Sequence, residues 1–142
     1  MKGLIQIGFT RILLIILSIL ALGLIYITQL FDYSGLFFAK DTLNPDAQFI
    51  LNRVTRYILN DLSVILLLWA LFQDRGLIKV AFGIQILGLF VILPIYFWLK
   101  LTLEGPSEES IPLLSFIHRI TVNPILLVML IPAKFFKDWK EK

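Results

Sequence analysis

The chain has 142 residues, 58% of them hydrophobic and 16% charged, where a soluble domain averages about 45–50% apolar and about 25% charged. That excess excludes a water-facing surface on so short a chain, and four membrane crossings would use more than half of it, leaving a single membrane domain over residues 1–142 and no soluble one. The net charge of +3 comes from scattered cations without a basic stripe, which argues against nucleic acid, and the absence of cysteine excludes disulfides, thiolate nucleophiles and cysteine metal sites.

The expected fold is all-α: a bundle of about four transmembrane helices. Residues 12–31 and 80–99 are uncharged apolar runs of 20 residues each, the length that crosses about 30 Å of hydrocarbon. The first span is therefore residues 12–31. Lys2 and Arg11 precede it and Ala21-Leu22-Gly23 has the form of a weak cleavage site, but the apolar run continues to Phe31 and suits a retained anchor. Asp32-Tyr33-Ser34-Gly35 ends the span. Leu36, Phe37 and Phe38 in the following connector suit the membrane interface.

Asn44-Pro45-Asp46 reads as a helix start: a capping asparagine, a proline for the first position and an acid for the positive helix end. This helix can run to Gln73, longer than the hydrocarbon is thick, so its first turns sit near the interface and the span is 54–73. Asp74-Arg75-Gly76 connects to the third span, 79–99, where Pro94 would bend the chain. A loop with Gly105-Pro106 and three glutamates follows. The fourth span, 113–134, is interrupted by His118 and Arg119, with irregularities expected at Pro124 and Pro132.

Both termini are expected in the cytoplasm. That orientation puts eight cations inside (Lys2, Arg11, Arg75, Lys79 and the tail lysines Lys134, Lys137, Lys140 and Lys142) and five outside (Lys40, Arg53, Arg56, Lys100 and Arg119).

Candidate functional residues form a polar layer at one depth. With Asp74 and Lys134 as the inner ends of their helices, the 1.5 Å rise puts Asn60, Asp61, Arg119 and Asn123 roughly 16–22 Å up, where a charge costs a few kcal/mol unless paired or wetted. Asn52, Arg53, Arg56, Asn60 and Ser63 share one stripe of the second helix. Ser115, Arg119 and Asn123 share one face of the fourth. His118 points away from that face, and Asp61 stands roughly 100° from Asn60 yet within reach of Arg119. Three readings stay open. The layer is structural glue with an Asp61–Arg119 charge pair; or Arg53, Arg56, Asn60, Arg119 and Asn123 bind a polar group from the outer leaflet, such as a lipid headgroup or a peptide carboxylate; or His118 and an acid do acid–base work, although no nucleophile or metal cluster accompanies them. No phosphate loop, metal-ligand spacing or cofactor motif is present. The cation surplus favours a pocket in which the guanidinium groups of Arg56 and Arg119 converge, with Asn60 or Asn123 in its wall.

The stretches Arg53-x-x-Arg56-Tyr57-x-x-Asn60, Phe116-Ile117-His118-Arg119, Asn123-Pro124-Ile125-Leu126-Leu127 and Ile131-Pro132-Ala133 resemble the exosortase F system-associated membrane proteins, small multipass proteins of Bacteroidetes-type bacteria. The likeness covers most of the chain in length and layout. It departs after Ala133, where the family continues with aromatics and a glutamine, and at Asp61. The resemblance implies a non-catalytic accessory protein of the bacterial inner membrane, partnered by membrane lipid and a larger exosortase-type protein. Exosortases resemble membrane transpeptidases that use a cysteine, so this chain is not that enzyme. The alternative is a small membrane enzyme or carrier acting on a lipid-linked substrate through Arg53, Arg56, His118 and Arg119.

Overall fold

A computed structural model describes residues 8–29, 31–39, 42–105, 111–122 and 124–141. Among these the regular structure is helical throughout: α1 (Phe9–Ile27), a 3₁₀ turn (Tyr33–Leu36), α2 (Pro45–Phe72), α3 (Arg75–Leu103), α4 (Pro112–Val122) and α5 (Ile125–Lys140). Three of these helices, α1, α2 and α3, are long and apolar enough to cross a membrane, and α4 with α5, bent by 49°, makes a fourth if the pair counts as one span. The outward surface is lined by large apolar side chains, Ile16, Leu20, Leu24, Phe90 and Trp98 among them, as a lipid-facing surface would be.

The helix ends differ from the sequence reading in informative ways. α1 begins at Phe9, takes Arg11 into its first turn, and stops at Ile27 rather than at Phe31. The stop is set by Thr28, whose hydroxyl bonds the Leu24 carbonyl at 2.8 Å and meets the Tyr33 hydroxyl at 2.8 Å. Pro45 opens α2 as expected, but Asn44 supplies only an extended backbone there; its side chain makes no capping bond. Gln73, in the left-handed region at φ 50°, ends α2. Asp74 then caps α3, accepting from the amides of Gly76 (2.8 Å) and Leu77 (3.2 Å).

α3 outruns the expected 79–99 at both ends and takes in Arg75 and Lys100. Within it, Gly88–Ile92 form a wide π turn placed two residues before Pro94, which has no N–H to offer the helix ladder. The fourth span is broken, because Pro124 separates α4 from α5.

Buried residues form two clusters that follow one another along α2. Phe49, Tyr57, Leu93, Tyr96, Phe97 and Leu114 make one; Val64, Ile65, Leu68, Ala81 and Leu127 make the other. α2 is the centre of the bundle. α1 packs extensively on α2, whereas among the described residues α1 and α4, both seated on α2, pack far less on each other.

Candidate functional site

α2 carries Arg56 and Asn60 one turn apart, so both face the same way. On α1, Leu22, Ile25 and Tyr26 fall at the i, i+3, i+4 spacing of a single helix face, and Gln29 follows in the turn beyond it. α4 contributes His118 and Arg119, and Pro124 closes the end. Together these nine residues line one cavity of about 510 Å³. Its floor is α2, and its walls are α1 and α4. Among the described residues the polar lining is cationic and amide in character, with no acidic side chain, and the α1 wall is formed by Leu22, Ile25 and Tyr26. Guanidinium groups suit anions, since their planar fork matches two oxygens at once.

The candidate residues therefore separate. Arg56, Asn60 and Arg119 are brought together. Arg53 is not: it is 6% exposed, and its guanidinium lies 4.9 Å from the ring centre of Phe49, one turn back along α2. A wheel position fixes where a side chain leaves the helix, and a long arginine can still turn along the axis onto an aromatic face. Asn123 lies outside the described residues, as do Lys2, Lys40, Glu108, Glu109 and Lys142 of the charge reading.

Asp61 also departs from expectation. No ion pair joins it to Arg119 among the described residues. It lies 2% exposed, beside Tyr57, in a small apolar pocket lined by Ile84, Gly88 and Ile92 of α3 and by Ile120 of α4. The roughly 100° between Asn60 and Asp61 turns the carboxylate out of the polar cavity and into this apolar seam. The Tyr57 hydroxyl donates to the Gln85 carbonyl at 2.8 Å. It sits so close to α3 that a Cβ at Gly88 would come within 2.1 Å of it. Glycine is the residue that permits this approach.

His118 was expected to point away from Arg119, yet it lines the same cavity, its ring centre 5.7 Å from that of Tyr96. The cavity spans more of the α4 surface than one wheel position.

Polar residues outside the cavity hold the frame. Asp32 accepts from Ser34, from Gln48 at 2.6 Å and from Asn52 at 3.1 Å, so Asn52 serves the α1–α2 connector. These bonds, that from the Ser34 hydroxyl first, hold the Asp32 carboxyl at about 2, below its ordinary 3.8. At the opposite end Lys134 bridges Asp74 and Asp138, each at 2.9 Å. Its contact, ahead of the Leu77 and Gly76 amides, holds the Asp74 carboxyl below the usual range. Lys100, read from sequence as an exposed flank, is completely buried and pairs with Glu104, which also accepts from the Ile111 amide at the start of α4. The i, i+4 spacing of Lys100 and Glu104 is the signal that could have found it.

Among the described residues no three of His, Cys, Asp and Glu gather closely enough to hold a metal ion. Compared with protein-family models, with curated proteins and with solved structures, the chain matches none.

Proposed function

We propose that this chain is a small multipass protein of the bacterial inner membrane, both ends cytoplasmic, acting as a non-catalytic accessory partner of an exosortase-type sorting system. Its working surface is an anion-accepting site in the outer leaflet. The observation that carries this reading is the single cavity into which Arg56, Asn60 and Arg119 converge from two helices. The class of partner rests on the resemblance of residues 53–60 and 116–133 to the exosortase F system-associated proteins. The outward placement rests on the eight-to-five cation bias.

One observation favours the second reading, an enzyme or carrier for a lipid-linked substrate: His118, an acid–base group, stands in the same wall as Arg119. The two readings separate on purification of the tagged chain from native membranes in mild detergent. A stoichiometric larger membrane protein is expected. Recovery of the chain alone overturns the accessory role.

A further inference from the structure

The cavity is far larger than one small anion needs. At a water's share of about 30 Å³, its 510 Å³ equals the volume of about 17 waters. It is also two-faced. Arg56 and Arg119 bring planar donor forks to one side, and Asn60 adds an amide. Across from them Leu22, Ile25 and Tyr26 of α1 offer hydrocarbon. A carboxylate has two oxygens and is satisfied by one arginine fork, whereas a phosphate has enough oxygens to engage two forks and an amide. The remaining space and the apolar wall call for a hydrocarbon portion on the same molecule.

The packing provides its way in. Among the described residues α1 and α4 both pack on α2 and far less on each other, so the side of the cavity between them is its least closed. Beyond the cavity α1 is apolar and uncovered, with Leu24 and Ile27 both exposed.

Resting on the anion-site reading above, we propose that the cavity seats the phosphate of a membrane lipid, with Arg56 and Arg119 on the phosphate oxygens and the lipid chains leaving through the gap between α1 and α4.

The test uses the full chain in alkyl maltoside micelles, which contain no phosphate, supplied in turn with phosphatidic acid, with oleate and with inorganic phosphate, and counts ligands retained by native mass spectrometry. One phosphatidic acid per chain is expected to persist, with retention falling at least tenfold in Arg56→Gln/Arg119→Gln. Leu22→Trp, which fills the apolar wall and leaves the charges in place, is expected to expel it too and keeps the test valid if the arginine variant does not fold. Lys137→Gln, at the opposite end of the bundle, should retain it. If oleate is held and phosphatidic acid is not, the anion site stands and the phosphate assignment is overturned. If inorganic phosphate displaces the lipid completely, the hydrocarbon half of the proposal is overturned. Retention of none of the three overturns the anion-site reading itself.

Discussion

Lys134 Nζ lies 2.9 Å from Asp74 Oδ2, tying the last helix to the turn between α2 and α3. With that clasp as the common origin, the helical rise puts Arg56 roughly 27 Å and Arg119 roughly 22 Å along their helices. The remaining offset is within reach of two arginine side chains, which is why residues 63 positions apart can line one cavity.

The clasp should be worth little by itself and more through its acid. Lys134→Gln removes a partly exposed ion pair and should cost little. Asp74→Ala also removes the cap of α3 and should cost more. Unfolding of both variants in mixed micelles of increasing denaturing detergent measures the order; a larger loss for Lys134→Gln contradicts it.

Asp61 and Arg119 should behave as independent sites. In a double-mutant cycle with Asp61→Asn and Arg119→Leu, the coupling should stay under about 0.5 kcal/mol, whereas Asp61→Asn with Tyr57→Phe should couple by about 0.5–3 kcal/mol. Strong coupling in the first cycle would restore the charge pair.

Gly88→Ala pushes a methyl group into the Tyr57 hydroxyl, 2.1 Å away, and overpacking of this kind costs about 1–3 kcal/mol. Tyr57→Phe removes the nearest atom and should recover part of the loss in the Gly88→Ala background, read as a shift in thermal midpoint in detergent.

The Asp32 carboxyl gives a pH signature. Its folded value of about 2 lies below the ordinary 3.8, so its contribution is complete above 3.8 and is lost as the pH falls through about 2. Carboxyl carbon NMR of Asp32 should show that low midpoint, and protection of the Ser34 amide should decline with it. Asn52→Ala should move the midpoint up, and an unchanged value would mean the connector is not held as described.

Orientation has its own experiment. Reporters fused after Lys142 and inserted at Glu108 should sit in opposite compartments. Agreement between them would require an odd change in the number of crossings.

Much of the frame was legible because it depends on runs and spacings. Uncharged stretches of 20 residues and the Asn44-Pro45-Asp46 start are read from the order of residue types alone. What escaped depends on where long side chains go. Arg53 leaves the stripe for Phe49, Lys100 turns inward to Glu104, and Asp61 turns into the apolar seam between α3 and α4. The irregularity expected at Pro124 is a break with a bend of 49°. Nothing in the sequence marked the wide turn ahead of Pro94 beyond the proline itself.

That turn has a consequence for the C-terminal half of α3, called the outer half on the proposed orientation. Its buried positions run Ala81, Gln85, Gly88 and then, after a step of five, Leu93, Tyr96, Phe97 and Lys100. A regular helix advances about 100° per residue, so the additional residue held in the π turn rotates everything beyond it by about that angle. Chain length at this point, more than any side chain, decides which face looks inward. Deleting a single residue within 88–92 would let the helix close up regularly and swing Lys100 toward the hydrocarbon, while every residue of the outer half kept its identity.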